Sequence, residues 1–418
     1  MSQEYYDMWK ELGLELDAHD NLLNILNDVY KQTYLTQSNR PKNMEYFDFV
    51  IGEVHGLRIK ELINAKKENR KIIGTYCVFV PEEIIIALNG ICVGLCAGAE
   101  IGYEHAEKYL PRNICPLIKS FFGFTLAKVC PYVEACDVLV GETTCDGKKK
   151  AYEIFSKIKK LYVMEIPQLK NTQDFNLLYE EYKRFAKYME ELTGEKLTFE
   201  KLKNAIEIIN KKRNALNRLM ELRGENVGCI SGKDALLINQ ISFYDDPVRF
   251  TEKVEQLNNE LAKRECNTNK HRILISGCPM AVPNWKIPDI VESMGAIIVG
   301  EESCIGMRNI RNEVSIDGDT VEDLLKNIAE RYLKIDCACF TPNNERINNI
   351  KELAEKLKVD GVIHYSLQFC TPYLVESYKV EESLENTGIP VLKIETDYSQ
   401  EDIGQLKTRI QAFIEMIK

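Results

Sequence analysis

The sequence contains few of the side-chain patterns that usually bind zinc. Only five histidines are present in 418 residues, and no two cysteines have the C-x-x-C spacing. Zinc sites are usually built from such pairs or from histidines at set spacing. The 14 cysteines therefore need another explanation.

Long apolar runs and long basic runs are also missing. No stretch approaches the roughly 20 apolar residues that span a bilayer. The opening segment "MSQEYYDMWKELGLELDAHD" is acidic and lacks the apolar core of a secretory signal. The net charge is −10 without a long basic run, which makes nucleic acid and anionic membranes poor partners. We expect a cytoplasmic protein, in which disulfides are improbable.

The length and the patterning predict an α/β fold with several domains. Residues 1–70 have helical spacing of apolar residues. Short apolar runs that alternate with helical stretches predict one parallel-sheet domain over residues 71–165 and a second over 271–418, both flavodoxin- or Rossmann-like. Residues 166–270 read as a helical insert domain, with Thr198 as an N-cap and stops at Gly194 and Gly224.

Most of the predicted strands lead directly into a cysteine. In the second sheet domain "HRILISGC", "GAIIVGEESC", "LKIDCACF" and "VDGVIHYSLQFC" do so, whereas "IPVLKIE" does not. Ligands of open parallel sheets bind beyond the carboxyl ends of the strands. Free cysteines can also be small buried hydrophobic residues, but a core thiol has no reason to prefer strand ends. The placement favours iron–sulfur ligation.

The two sheet domains can be aligned cysteine by cysteine. "VGETTC" at 140–145 resembles "VGEESC" at 299–304, which would pair Cys145 with Cys304. We prefer the alignment in chain order, because it uses every strand. Its pairs are Cys77 with Cys278, Cys96 with Cys304, Cys115 with Cys339, and Cys145 with Cys370.

Several of these thiols precede a predicted helix. Pro116 follows Cys115, Pro372 follows Cys370 by two residues, and Pro342 follows Cys339 by three. Proline favours the first helical turn, so we expect these sulfurs, together with Cys145, at helix N-termini. The positive end of the helix dipole favours thiolate there.

The thiols are sufficient for two iron–sulfur cubes. Three thiols from each half would leave one iron of each cube without a protein ligand, and two such cubes can be joined by a sulfide. The six predicted ligands are Cys96, Cys115, Cys145, Cys304, Cys339 and Cys370. We hold Cys77 and Cys278 in reserve, expect Cys92 and Cys337 to point into the sheets, and interpret Cys130, Cys136, Cys229 and Cys266 as structural.

At these residues the sequence resembles a known family. "LPRNICPLIKSFFG", "VGETTCDGKKKAYE" and "DGVIHYSLQFC" are similar to the cluster-binding segments of the 2-hydroxyacyl-CoA dehydratase and benzoyl-CoA reductase family, from about residue 70 to the C-terminus. The resemblance implies two related α/β domains, a helical portion, and one 4Fe–4S cluster held by Cys115, Cys145 and Cys370.

Extra cysteines in "VGLCAGAE", "VGEESCIGMRN" and "IDCACFTPN" resemble the double-cubane cluster branch of that family. The branch implies two sulfide-bridged cubes held by six cysteines in an anaerobic, homodimeric reductase of small molecules. The chain has no G-x-x-x-x-G-K-[ST] loop, since "SGKD" at 231–234 ends in Asp, and it has no G-x-G-x-x-G. The family implies that a separate dimeric iron–sulfur ATPase hydrolyses ATP and supplies the electrons.

Acid–base residues are less clearly indicated. Glu142 and Glu301 follow strands at the presumed site and could deliver protons, or could equally cap a helix or accept a bond from a loop amide. His364 is more typical of a core histidine. Tyr365, Ser366 and Gln368 could hydrogen-bond cluster sulfides because they lie near Cys370 in sequence.

Two other functions stay open. A conventional acyl-CoA dehydratase subunit would bind one cube through three cysteines and usually work as a heterodimer. An iron–sulfur carrier would hold a labile, transferable cluster and show no ATPase-dependent turnover.

Overall fold

The computed structural model describes residues 3–266 and 268–417. They form two four-stranded sheets, in which every strand is parallel to its neighbours, and both sheets are covered by helices. The predicted α/β fold with two parallel-sheet units is therefore confirmed. The division into four domains stays a prediction.

The N-terminal segment is helical, as its apolar spacing predicts. Its helices are α1 (Gln3–Glu11), α2 (Leu16–Tyr30), α3 (Met44–Gly52) and α4 (Leu57–Lys67), with a π-helical turn at Lys31–Leu35. Trp9, Phe47 and Leu62 of this segment are buried in the main core. The segment thus packs onto the rest of the molecule through its apolar faces.

The first sheet has the strand order β2-β1-β3-β4. Its strands are β1 (Ile72–Thr75), β2 (Ile91–Gly94), β3 (Val138–Glu142) and β4 (Leu161–Met164). The helices between them are α5 (Glu82–Ala87), α6 (Tyr103–Ala106), α7 (Pro116–Leu126), α8 (Pro131–Ala135) and α9 (Asp146–Phe155). Ile73 lies opposite Val138 in the β1–β3 pair.

The expected helical insert contains four helices. They are α10 (Thr172–Thr193), α11 (Phe199–Glu225), α12 (Gly232–Ile241) and α13 (Pro247–Leu261). The predicted caps at Thr198 and Gly194 are confirmed: Thr198 accepts from the N–H of Lys201 at 3.3 Å, and Gly194 has φ +76°. Gly224 does not end α11. A Cβ there would come within 2.8 Å of Leu357, so close packing explains this glycine.

The second sheet repeats the order of the first, as β6-β5-β7-β8. Its strands are β5 (Arg272–Gly277), β6 (Ile297–Glu302), β7 (Gly361–Leu367) and β8 (Val391–Thr396). Its helices are α14 (Lys286–Ser293), α15 (Met307–Ile310), α16 (Val321–Leu333), α17 (Asn344–Lys356), α18 (Thr371–Leu384) and α19 (Ile403–Met416), with a 3-10 turn at Glu385–Thr387.

The matching strand orders confirm three of the four pairs in the chain-order alignment; in the fourth, Cys115 caps a helix whereas Cys339 lies in a turn. Cys145 follows β3 and Cys370 follows β7, which hold the same interior position in their sheets. "VGEESC" instead belongs to the edge strand β6 and ends at Cys304. The similar hexapeptides therefore occupy different positions in their sheets. They are alike because each leads from the end of a strand into the same site.

One predicted strand is wrong. The run "LKIDCACF" contains no strand: it includes the end of α16 and an irregular segment with a turn. Ile335 and Phe340 give the run its apolar character, because both pack into a core formed with the first sheet. Asp336 is bound by Arg311 at 2.9 Å. The apolar pattern of these buried loop residues resembles that of a strand.

Apolar packing joins the parts of the chain. The main core combines the N-terminal helices, α12 and one face of each sheet. The other face of the first sheet packs with α10 and α16, and that of the second with α17 and α18. Within the described residues, no helix combines the length and the apolarity needed to cross a membrane.

Candidate metal centre

One cavity of about 1090 Å³ lies between segments that follow the strands of both sheets. Ten of the 14 cysteines line it. They are Cys77, Cys96, Cys115, Cys130, Cys145, Cys278, Cys304, Cys337, Cys339 and Cys370. All six predicted ligands are in this set, so the fold brings them to one cavity. Their role as ligands stays a prediction.

Four of the thiols form what we call the first thiol group: Cys115, Cys145, Cys278 and Cys370. The Cys370 thiol, and after it burial, raises the pKa of Cys115 well above its usual value. The Cys115 thiol lowers the pKa of Cys370, but Cys278 and burial raise it by more. The pKa of Cys370 is therefore well above its usual value. Burial raises the pKa of Cys145, and Cys115 adds to the rise. These mutual effects show that the four thiols are neighbours.

Three members of the first thiol group lie at helix N-termini. Cys115 is the N-cap of α7 and Cys370 that of α18, each with a proline in the first turn. Cys145 is the N-cap of α9, and its Sγ accepts from the backbone N–H of Lys148 at 3.5 Å. The helix-terminal position is confirmed for these three, and the positive end of each helix favours thiolate at its N-cap.

The second thiol group consists of Cys77, Cys96, Cys304, Cys337 and Cys339. Burial, and then Glu142, raises the pKa of Cys77 well above its usual value, with Cys304 and Cys337 adding to the effect. Hydrogen bonding with Cys339 lowers the pKa of Cys337 to about 6, while that of Cys339 is raised.

Each group draws thiols from both halves of the chain. This differs from the expectation that the three thiols of one half would face one cube. The cavity lies between the two sheets, so segments from opposite sheets meet across it. Cys370 of the second half lies beside Cys115 of the first. Cys304 likewise lies near Cys96.

Cys337 and Cys339 lie where the sequence did not predict them. Cys339 is not at a helix N-terminus, because α17 begins five residues later with Asn343 as its N-cap. Cys337 does not point into a sheet, because its segment has no strand, and it lines the cavity. The C-x-C spacing was the available signal, because it places two thiols close together on one short segment.

Lys148 connects the two thiol groups. Its backbone N–H contacts Cys145 of the first group, as described above. Its Nζ lies 3.4 Å from the carbonyl oxygen of Tyr76, which also accepts from Cys96 Sγ of the second group at 3.1 Å. The ammonium is paired with Glu142, so a buried cation faces the thiols with its carboxylate behind it.

A buried ion network lies behind the second thiol group. Arg308 donates from Nη1 to Cys304 Sγ at 3.4 Å and to the hydroxyl of Tyr373. Its other edge binds Glu302 at 2.5 Å. Arg346 binds the same Glu302 at 2.9 Å. Arg308, Glu302 and Arg346 are fully buried, so water does not weaken these pairs.

The two predicted acid–base residues lie in different settings. Glu142 is buried beneath the cavity wall, where it binds Lys148 and accepts from Thr144 at 3.0 Å. Glu301 does not line the cavity. It forms a fully buried two-pronged pair with Arg223 of α11, at 2.6 and 2.7 Å. Such a pair favours a structural role for Glu301.

The polar side chains of β7 and of Gln368, which precede Cys370, do not line the cavity either. His364 is fully buried, with Nε2 3.1 Å from the carbonyl oxygen of Tyr373. Tyr365 accepts from Asn284 at 2.9 Å, and Ser366 is buried. Strand β7 carries His364, Tyr365 and Ser366 into the core before the chain reaches the site.

The remaining cysteines mostly agree with a structural interpretation. Cys92 lies 3.8 Å from the hydroxyl of Thr75 in the neighbouring strand, and Cys229 is fully buried. Neither these two nor Cys136 and Cys266 line the cavity. Cys130 does line it, as the N-cap of α8, although we expected a purely structural role.

The donor set fits an iron–sulfur cluster better than a single ion. In residues 3–266 and 268–417, no three His, Cys, Asp or Glu side chains are grouped closely enough to bind one metal ion. The thiols surround a cavity instead, and soft thiolates spaced around an inorganic core are typical iron–sulfur ligands. Several have raised pKa values, so cluster binding would release protons.

Comparison with known proteins gives a consistent result. The family model described as 2-hydroxyglutaryl-CoA dehydratase, D-component, matches residues 77–417, a range that contains every cysteine lining the cavity. The putative dehydratase subunit YjiM of Escherichia coli (strain K12) is 37% identical over 369 residues, which cover 85% of this chain and 94% of that protein.

Two more distant relatives are named as enzyme subunits. The (R)-2-hydroxyglutaryl-CoA dehydratase, subunit beta, of Acidaminococcus fermentans is 24% identical over 374 residues, with 85% of this chain and 95% of that protein covered. A benzoyl-CoA reductase subunit of Thauera aromatica is 22% identical over 360 residues, with 84% and 92% covered. Subunits of dehydratases and of a reductase thus match most of this chain.

Proposed function

The chain belongs to the 2-hydroxyglutaryl-CoA dehydratase D-component family, and from this we propose that it is a low-potential reductase of small molecules that uses a double-cubane iron–sulfur cluster. Six thiolates would hold the cluster: Cys115, Cys145 and Cys370 from the first thiol group, with Cys96, Cys304 and Cys339 from the second. When bound, such a cluster supplies electrons at low potential.

The main support is the presence of two thiol groups around one cavity. A single cube with three protein ligands needs only the first group. The second group has five thiols, all of them partly exposed and lining the cavity, and it is joined to the first by Lys148. A cavity of about 1090 Å³ gives two cubes room side by side.

The protein residues around the cavity have separate tasks in this proposal. Apolar side chains of the N-terminal helices and of α7, including Leu22, Leu26 and Leu117, line the cavity and exclude water. Lys148 and Arg308 place buried positive charge against the thiols, where it offsets the charge of thiolates. Glu142 holds the Lys148 ammonium in place.

The electrons would come from a separate protein. No glycine-rich phosphate loop is present in the sequence, so we assign ATP hydrolysis to a partner, a dimeric iron–sulfur ATPase. Relatives such as the Acidaminococcus fermentans protein are named as beta subunits, which implies further components in their complexes. This chain would work as a homodimer with that ATPase as electron donor.

The second candidate is a subunit of a 2-hydroxyacyl-CoA dehydratase with one cube. Its support is that Cys115, Cys145 and Cys370 suffice for one cluster, and that the Acidaminococcus fermentans relative, at 24% identity, is named as an (R)-2-hydroxyglutaryl-CoA dehydratase beta subunit. In this case the second thiol group would stay free of metal. The chain would then need a different subunit for activity.

Anaerobic purification followed by iron, sulfide and EPR analysis distinguishes the candidates. The double cubane predicts about eight irons per chain and the single cube about four. Reduction of a small-molecule substrate should require both the partner ATPase and ATP. A cluster that transfers readily to other apoproteins, without ATPase-dependent turnover, would instead identify a carrier.

A further inference from the structure

The two thiol groups differ in the donors that face their sulfurs. In the first group the hydrogen bonds to sulfur come from backbone N–H groups, of Lys148 to Cys145 and of Leu367 to Cys278 at 3.4 Å. In the second group Cys304 receives its bond from the guanidinium of Arg308. Arg308 therefore places a cationic donor directly on a sulfur of the second group, in addition to the Lys148 ammonium, which lies near both groups.

The charge of Arg308 is directed toward the thiols. The edge that carries Nη1 faces Cys304 and Tyr373, whereas Nε and Nη2 face Glu302 at 3.0 and 2.5 Å. Asp336 lies 3.7 Å from Nε, on the same rear side. The carboxylates neutralise the arginine from behind, and the positive end of each pair points at the second thiol group.

The guanidinium is also held rigidly. The backbone N–H of Arg308 donates to the carbonyl of Ser303 at 3.2 Å, and the guanidinium carbon lies 5.4 Å from the ring centre of Tyr373. Arg346 contacts the same ring at 5.1 Å. Because Arg308 is fully buried, its field is not screened by water, and no reorganisation is needed when charge arrives.

We propose that Arg308 makes the part of the metal centre at Cys304 the more easily reduced part, so that an arriving electron rests there rather than at the first thiol group. Hydrogen bonds and positive charge at cluster sulfurs favour the reduced, more negative state. One electron moves: the iron–sulfur donor protein loses it and the centre gains it, and no bond forms or breaks. This inference rests on the proposed double cubane.

The test is an EPR-monitored redox titration of the anaerobically loaded protein. In the wild type we expect two separate one-electron waves. Arg308→Gln should move the more positive wave to lower potential and leave the other in place. Arg308→Lys, which keeps the charge but loses the two-edged geometry, should move the same wave less. Tyr373→Phe should also move it slightly, because the guanidinium loses an anchor.

Arg223→Gln is the matched control, because it breaks an equally buried pair with Glu301 away from the cavity. It should leave both waves unchanged. If Arg308→Gln loses its iron, Arg308→Lys and Tyr373→Phe decide the question. Equal shifts of both waves, no shift, or a single wave in the wild type would overturn the inference. About four irons per wild-type chain would instead overturn the proposed function.

Discussion

The first and second thiol groups face the same cavity but are built in different ways. The first is held by regular structure: Cys115, Cys145 and Cys370 each begin a helix. The second lies on irregular segments supported by buried ion pairs around Arg308 and Glu302. Backbone geometry thus organises one group, and side-chain electrostatics organises the other. The groups should respond differently to mutation, acid and metal loss.

The largest expected effect is loss of iron when a ligand from either group is removed. Cys370→Ser should reduce the iron content of the first group and Cys304→Ser that of the second, each from about eight to about four irons per chain or fewer. Anaerobic iron and sulfide analysis measures this.

Cys229→Ser is the control for those variants, since Cys229 is buried away from the cavity and should not affect iron content. Full iron content in Cys304→Ser would remove the second group from the proposed centre.

The next effect concerns stability, and it should appear only in the second group. Glu302→Ala leaves the buried Arg308 and Arg346 without a shared partner. Unpaired buried charge costs about 3–5 kcal/mol, which urea unfolding of the apoprotein would measure. Glu153→Ala, which removes an exposed partner of Lys150, should change nothing measurable. Equal stabilities for the two variants would show that the network does not support the fold.

Acid should lower the stability of the whole fold through His364, which lies near Arg346 of the ion network behind the second group. Burial, and then Arg346, lowers the pKa of His364 from 6.5 to about 3. Between these values the unfolded chain binds more protons than the folded one. The free energy of unfolding therefore falls as the pH falls, by up to about 1.4 kcal/mol per pH unit from this group.

Urea unfolding of the apoprotein at about pH 7 and about pH 5 compares the wild type with His364→Gln. The variant should lose less stability on acidification, because its side chain cannot be protonated. An identical loss in both proteins would mean that His364 does not carry the effect.

The smallest effect should be a gain in stability at the first group. Cys145 is an N-cap, and a thiol is a weak acceptor. Serine is among the strongest N-caps, so Cys145→Ser should stabilise the apoprotein by up to about 1 kcal/mol while impairing iron binding. Cys304 caps no helix, and Cys304→Ser should give no such gain. A loss of stability in Cys145→Ser would contradict the capping role of the thiol.

Local signals in the sequence predicted the first group well. Cysteines followed by proline within two residues, as at Cys115 and Cys370, were correctly placed at helix N-termini. This worked because N-caps depend on a few neighbouring residues. The parallel sheets followed from the alternation of short apolar runs with helical stretches.

The second group could not be predicted to the same extent. The apolar residues around Cys337 suggested a strand, although they are buried by contacts with the other sheet. Glu302 and Cys304 lie close to Arg308 in the sequence, but Tyr373 and Arg346 join this network only in the tertiary fold, so the sequence does not show where the guanidinium charge is directed. The grouping of thiols from both halves also depends on how the sheets face each other.

Anomalous diffraction at the iron absorption edge, from crystals of the anaerobically purified protein, tests the central claim most directly. We predict two adjacent iron clusters in the cavity, one against Cys115, Cys145 and Cys370 and the other against Cys304 and its neighbours. A single cluster at the first thiol group, with the second group free of iron, would contradict it.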